Sequence, residues 1–557
     1  MHPKLKWFLA ATLSGLLMYV GWVPMPAWVT LLFGFVPLLW LEYDIAQRIP
    51  KNSRRWVFIM SYCCFLVWNV ATTWWVGNTT EPFSGVLANT LNALLMTVPF
   101  MMFHVTRTKL GNRLGYISLP AFWIAFEFLH LRWDLSWPWL TLGNGLAMYP
   151  TVVQWYEYTG VLGGSLWIWV LNILVWQLAM NYEEQISNAW RKRLLVSILA
   201  LVAVPYSISL LLYYKDRSKP NEHYRRERVV IVQPNIDPYN EKFDTSTLGA
   251  QLQTLLDLSK QLCDSNTAYL VWPETAIPKG VFEDQFQTDE SIARVRMFLK
   301  AYPKMQLVTG ISGYLRYPDE KRSTPTSRKL QDGSFFDAFN TAVQFDAGGD
   351  FQTYHKSKLV PGAEQLPYPE VFKFVEKYAL DFGGTTGTLG KQPYRTVFFN
   401  GSRVGIAPVI CYESIYGEYC NEYIQRGADM IFIITNDGWW GDSPGHVQHM
   451  YYGTLRAIET RRPIARSANT GISCVVTTRG DILEPQAYGT ASVIKSFFYL
   501  PDTPVMTFYV RFGDYIGRVA NFAALLFIAL LIARRFRKKT TTNVNDTQPS
   551  TDNRTND

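Results

Sequence analysis

The chain has 557 residues, 48% of them hydrophobic and 15% aromatic, with 20 tryptophans, which excludes a string of ordinary soluble domains and predicts a membrane protein carrying a soluble part. The formal net charge of +8 requires no nucleic-acid partner, because much of the basic charge flanks apolar segments and suits contact with anionic lipid. Six cysteines, mostly single and in or beside apolar runs, make no disulfide framework; a bridge involving Cys420 is the one pairing left open.

Apolar stretches of spanning length lie near 7–22, 24–41, 56–76, 86–104, 115–131, 152–180 and 194–214, with an eighth near 517–533. Lys4 and Lys6 precede the first. Arg48, Lys51, Arg54 and Arg55 fill the second short loop, Arg107, Lys109 and Arg113 the fourth, and Arg191, Lys192 and Arg193 the sixth. Loops one and three have no lysine or arginine, and the fifth has only Arg132. This alternation predicts a cytoplasmic N-terminus, residues 215–516 outside, and a cytoplasmic stop at Arg534-Arg535-Phe-Arg537-Lys538-Lys539. A cleaved signal peptide would suit the basic start, but no small-residue cleavage site follows and removal would break the parity. The expected organisation is a seven-span domain over 1–214, an external domain over 215–516, an eighth span over 517–539 and a disordered cytoplasmic tail over 540–557. A transporter would carry several polar groups inside its spans. Glu127 reads as the clearest buried acid and stands nearly alone.

Residues 215–516 have a different texture. Arg228 to Asn235, Tyr269 to Trp272, Gln306 to Gly310, Thr341 to Phe345, Val404 to Ile410, Asp429 to Thr435 and Ile472 to Thr477 read as short strands. Helical patterns over Leu248 to Leu262, Asp289 to Ala301 and His446 to Arg462 lie between them, so an α/β arrangement is expected. The polar run from Tyr317 to Lys329 reads as a mobile insertion.

Three strand ends carry candidate chemistry. Val404-Gly-Ile-Ala-Pro-Val-Ile-Cys411-Tyr412-Glu413 is a buried strand that stops at a thiol. Tyr269-Leu-Val-Trp-Pro273-Glu274 ends on an acid, and Tyr354-His-Lys356-Ser-Lys358-Leu-Val-Pro361 supplies an amine. Residue type assigns roles: Cys411 as nucleophile, Glu274 as general base and acid, and Lys356 as a fixed cation that stabilises an oxyanion with the N–H after Cys411. Each has a plain alternative: a small core residue, a solvated acid at a turn, a surface amine.

Together these segments resemble the nitrilase superfamily, whose Glu-Lys-Cys triad lies on W-P-E, K-x-x-L-V-P and C-Y-E segments. With the seven-plus-one spans, nearly the whole chain resembles the bacterial apolipoprotein N-acyltransferase family. Further motifs are Trp137-Pro-Trp-Leu-Thr-Leu-Gly-Asn144, Val232-Gln-Pro-Asn-Ile236, Thr435-Asn-Asp-Gly-Trp-Trp-Gly441, Gln448-His449 and Ala468-Asn-Thr-Gly-Ile-Ser473. The resemblance implies an α-β-β-α sandwich for the external domain and a location in the bacterial inner membrane. It also implies acyl transfer from a phospholipid such as phosphatidylethanolamine, through a Cys411 thioester, to the α-amine of a diacylglyceryl apolipoprotein. Glu364, Tyr412 and Glu413 match supporting residues that would orient Lys356 and shape the pocket. The usual F-G-E is Gly362-Ala363-Glu364 here, and a usual tryptophan is Phe243. Lys358 is a second amine, and only the match to K-x-x-L-V-P favours Lys356. A membrane-tethered amidase acting on small amides is the alternative.

His446, His449 and His355 could imitate a metal site, but no standard ligand spacing completes it, so no metal or other cofactor is expected and the imidazoles are assigned to backbone or to capping the 436–442 loop. That loop, with Trp439 and Trp440, reads as a lid or membrane-contact surface, or else as a tight turn with tryptophan in the core.

Overall fold

The computed structural model describes residues 2–78, 83–183, 187–215, 224–365, 368 and 388–545. Helices Pro3–Val20, Val36–Arg48, Ser53–Thr73, Phe83–Leu110, Asn112–His130, Tyr156–Glu183 and Asn188–Tyr214 fill the first part of the chain, and Tyr515–Asn545 the last. Six runs are long and apolar enough to cross a membrane: Trp28–Arg48, Pro50–Asn78, Phe83–Leu110, Tyr156–Met180, Asn188–Tyr214 and Tyr515–Phe536. Pro3–Val20 and Asn112–His130 are the expected spans outside that group; the first includes Lys4 and Lys6, the second Arg113 and Glu127. The final helix continues through Asn545 into the stretch expected as tail, whose residues 546–557 lie outside the described residues.

Glu127 has company, contrary to expectation. Glu42 is fully buried against His104 and Arg107, and buried Glu157 pairs with Arg461. These acids are tied to cationic or imidazole partners within the packing, an arrangement that fastens helices together.

The rest forms two sheets. β1 (Tyr224–Gln233), β2 (Tyr269–Val271), β3 (Ile277–Phe282), β4 (Gln306–Tyr317), β5 (Arg328–Lys329), β6 (Phe335–Phe345), β7 (Phe351–His355) and β14 (Ser492–Pro501) make the first, ordered β14-β1-β2-β4-β6-β5, with β3 on β4 and β7 on β6. β8 (Phe398–Phe399), β9 (Gly405–Ile410), β10 (Met430–Thr435), β11 (Ile464–Ala468), β12 (Cys474–Val476) and β13 (Ile482–Leu483) make the second, in reverse chain order. β9, β10 and β11 run parallel and every residue in them is buried, as their unbroken apolar runs require of strands covered on both faces. The sheets face each other: Tyr269 meets Phe432 edge-on at 5.5 Å, and Ser467 Oγ donates to Val232 O at 2.7 Å. Helices Leu248–Leu262 and Glu290–Leu299 pack with the first sheet, and Gly417–Gln425 and Pro444–Thr460 with the second.

The Tyr317–Lys329 insertion is held down, because Tyr317, Thr324 and Thr326 hydroxyls all donate to buried Asp337. All six cysteines are free, Cys420 included.

One apolar core runs from the helices into the two-sheet domain. Helix Pro444–Thr460 is the main seat: Trp22 Nε1 donates to Tyr452 OH at 2.9 Å, Trp139 Nε1 to Gln448 Oε1 at 2.6 Å, and Gln448 Nε2 to Val23 O at 2.9 Å. Trp440 packs on Trp75 and Trp139 at 4.8 and 5.6 Å, so the expected lid turn is docked on the helical region.

Candidate active site

β9 ends at Ile410 and the chain turns at once into the 3-10 turn Cys411–Ile415. Cys411 makes the corner with a φ of 49°, a left-handed conformation that costs a side-chain-bearing residue about 1–3 kcal/mol. Its surroundings hold the corner. Glu413 Oε2 accepts from Ile410 N at 2.9 Å, Ser414 Oγ donates to the Cys411 carbonyl at 2.8 Å, and His449 Nε2 lies 3.1 Å from the same oxygen.

Glu274 follows β2 through Trp272 and Pro273 and is buried. Its Oε1 accepts from Asn340 Nδ2 at 2.7 Å and Lys356 Nζ at 3.1 Å, and its Oε2 from Asn436 N at 3.0 Å. Lys356, the residue after β7, is 1% exposed and also donates to Glu364 Oε1 at 2.8 Å. The ammonium thus bridges two carboxylates. The turn at Glu274 is tight, with Thr275 at φ 49° and Gly310 behind it. A Cβ on Gly310 would meet Thr275 N at 2.4 Å and Glu274 Cα at 2.7 Å, both backbone atoms. Gly310→Ala is therefore expected to destabilise by about 1–3 kcal/mol and to lower turnover in the folded fraction, read by thermal unfolding beside an activity assay.

Burial pushes the Cys411 thiol well above its ordinary value, the Glu274 charge adds to this, and Lys356 pulls the other way. The thiol rests protonated and needs a base at the moment of attack. Burial alone would make Lys356 a weaker base, but Glu274, Glu364 and Cys411 outweigh it and hold the ammonium well above its ordinary range.

Glu413 ties two strand ends together. Its Oε1 accepts from Ser357 N and Tyr354 OH, each at 2.7 Å, and from Tyr419 OH, while Oε2 holds the Cys411 corner. Glu364 contacts Lys356 directly. The Tyr412 hydroxyl donates to Ser136 O at 3.0 Å, in a loop of the helical region. The structure also separates the two lysines, since Lys358 Nζ donates to Leu131 O at 3.1 Å and lies over the Tyr416 ring.

The three histidines diverge. His355 pairs with Glu283 at 2.5 Å, His446 packs on Tyr488, and His449 Nδ1 lies 2.8 Å from Asp437 Oδ1. Donor atoms of Cys411, Asp437 and His449 lie within 4.8 Å of one another. A cation does not fit there, because the Arg466 guanidinium already sits on Asp437 Oδ2 at 2.5 Å and both His449 nitrogens face protein oxygens. His449 Nε2 lies 3.1 Å from the Cys411 carbonyl and 3.0 Å from Ser414 Oγ, so the imidazole faces the main chain of the corner rather than an ion. The dyad clamps the corner instead.

Sequence reasoning missed Asn340, shared by both carboxylates, and Lys242, whose Nζ donates to Glu274 O at 2.9 Å. Asn340 carried no distinct signal, since its strand also holds Asp337, Thr341 and Gln344.

Residues 228–495 match the carbon-nitrogen hydrolase family, and residues 14–174 the apolipoprotein N-acyltransferase N-terminal domain. An apolipoprotein N-acyltransferase of Chlorobaculum tepidum is 30% identical over 95% of this chain and 97% of its own. The chain belongs to the apolipoprotein N-acyltransferase family. Relatives with that name from Geobacter metallireducens and Vibrio vulnificus are 26% and 25% identical, each covering 96% or more of both chains. Among solved structures, a nitrilase-superfamily amidase from Nesterenkonia is similar with TM-score 0.36 and 18% identity, over 54% of this chain and 99% of that one. Membership in the apolipoprotein N-acyltransferase family makes this an acyltransferase and a bacterial membrane protein. Where the sequence departs from the family pattern, Glu364 of Gly362-Ala363-Glu364 reaches Lys356, and Phe243 stacks on Trp439 at 6.4 Å.

Proposed function

We propose that this chain moves a fatty acyl group from a phospholipid to the α-amine of the N-terminal diacylglyceryl cysteine of an apolipoprotein, by way of a thioester on Cys411. The observation that carries the reading is a buried ammonium, Lys356, joining Glu274 to Glu364 beside a buried thiol, in a domain seated on membrane helices. Glu274 Oε2 accepts one hydrogen bond and keeps a lone pair for the thiol proton. As Sγ attacks the ester carbonyl, Glu274 takes that proton. Negative charge on the carbonyl oxygen is met by the third N–H of Lys356 and by the Tyr412 N–H, which has no acceptor within the turn it opens. Collapse breaks the bond to the glycerol oxygen, which leaves with the proton from Glu274 as a lysophospholipid. The amine then attacks the thioester; Glu274 accepts its proton and returns it to the leaving Cys411 sulfur, closing the cycle.

Eight spans with a periplasmic catalytic domain complete the reading, with residues 1–214, 215–516 and 517–539 as its parts and the bacterial inner membrane as its place. The contacts support it. The catalytic domain touches Trp22, Val23, Thr72, Trp75, Ser136, Trp139 and Gln154, all on or beside the loops poor in lysine and arginine. The basic loops lie at the opposite helix ends. Arg132, the exception, is neutralised by Glu418 and Asp514 of the catalytic side.

A diacylglyceryl-cysteine peptide supplied to the outer face of spheroplasts that carry the protein should be N-acylated, and the same peptide with an acetylated α-amine should not. Acylation only in inverted vesicles would overturn the topology; ammonia release from small amides without acyl transfer would restore the amidase.

A further inference from the structure

Lys242 lies in the turn that leads from β1 to helix Leu248–Leu262, and it is 2% exposed. A buried ammonium is costly unless something nearby uses its charge. Its Nζ donates to the main-chain carbonyl of Glu274 at 2.9 Å, next to the left-handed Thr275 corner. Burial lowers Lys242 to about 8 against the opposing pull of the Glu274 charge, which leaves it cationic at neutral pH.

The titratable and charged groups around Glu274 come from four places. Lys356 approaches from the end of β7, Glu364 from the following turn, Cys411 from the end of β9 with Asp437 beyond it, and Lys242 from the turn after β1. Without Lys242, two carboxylates share one ammonium and one amide, Asn340. With it, a second ammonium stands at the Glu274 main-chain carbonyl.

We propose that Lys242 is a positioning residue for the acyl transfer: it pins the Glu274 backbone corner and supplies the second cation that lets Glu274 stay ionised, and thus a base, while Lys356 is shared with Glu364. This rests on the reading of Glu274 as the base. A cation within about 4–6 Å favours a carboxylate by about one to three pH units, and its removal makes the acid easier to protonate.

The test is Lys242→Met in the full-length protein, following thioester formation with phosphatidylethanolamine vesicles from pH 5 to 9 beside thermal unfolding. The expected result is a folded protein whose acid limb moves up by about one pH unit or more, with rates about tenfold below wild type on the acid side of the limb and converging on it on the alkaline side. A folded variant with an unmoved limb overturns the inference. Should Lys242→Met fail to fold, Lys242→Arg carries the test, because it keeps the cation: an unmoved acid limb is expected, and a limb displaced like that of a neutral residue overturns it. Glu274→Gln, assayed alongside, separates the two claims. If it still forms thioester, the base reading fails; if it is inactive while Lys242→Met matches wild type, only the role of Lys242 falls.

Discussion

Incubated with phosphatidylethanolamine vesicles, the wild-type protein gains the mass of one fatty acyl group on Cys411, hydroxylamine removes it, and Cys411→Ala gains nothing. The expected loss is complete because alanine removes the sulfur that carries the acyl group between donor and acceptor. Serine would not replace it: an alkoxide is far harder to form than a thiolate from a protonated, buried start, and the resulting ester would resist a neutral amine. Folding should survive the alanine change. The corner is held by Glu413, Ser414 and His449 through main-chain atoms, none of which the substitution removes. Label that resists hydroxylamine, or that persists in Cys411→Ala, would end the thioester mechanism.

How much of this was legible in the sequence depended on whether the signal was local. The parallel core strands β9 and β10 were readable because their apolar runs are unbroken and stop at polar turns. β11 was not, since buried Arg466 interrupts its pattern and reads as a surface charge until Asp437 is seen beneath it. β14 was missed because Lys495 and two serines break an edge strand whose pairing with β1 comes from the far end of the domain. The site shows the same division. Glu274, Lys356 and Cys411 sit at strand ends within recognisable segments, whereas Lys242 and Asn340 matter only through what folding places beside them. The packing of Trp440 was hidden because its aromatic partners Trp75 and Trp139 are hundreds of residues away, and that of Trp439 because its partners Tyr239 and Phe243 lie in the turn after β1.

Glu274→Gln should lower both thioester formation and transfer to the acceptor amine by about 10²- to 10⁴-fold, the range for loss of a positioned general base. The amide is nearly isosteric but cannot take a proton, and the environment makes its fit worse. Every group that faces the Glu274 oxygens is a donor: Asn340 Nδ2, Lys356 Nζ and Asn436 N. An amide turns one oxygen into an NH₂, so at least one of those donors would face another donor, and Lys356 would swing further toward Glu364. Both half-reactions should fall together, because the same carboxylate relays the proton in each. Measuring single-turnover acylation and, separately, transfer from acyl-enzyme formed beforehand shows whether they do. His449→Gln is the informative companion. If that change alone abolishes acylation while Glu274→Gln leaves it intact, the base is the imidazole on Asp437; if His449→Gln slows the reaction while Glu274→Gln stops it, the imidazole only clamps the left-handed corner and the carboxylate moves the proton.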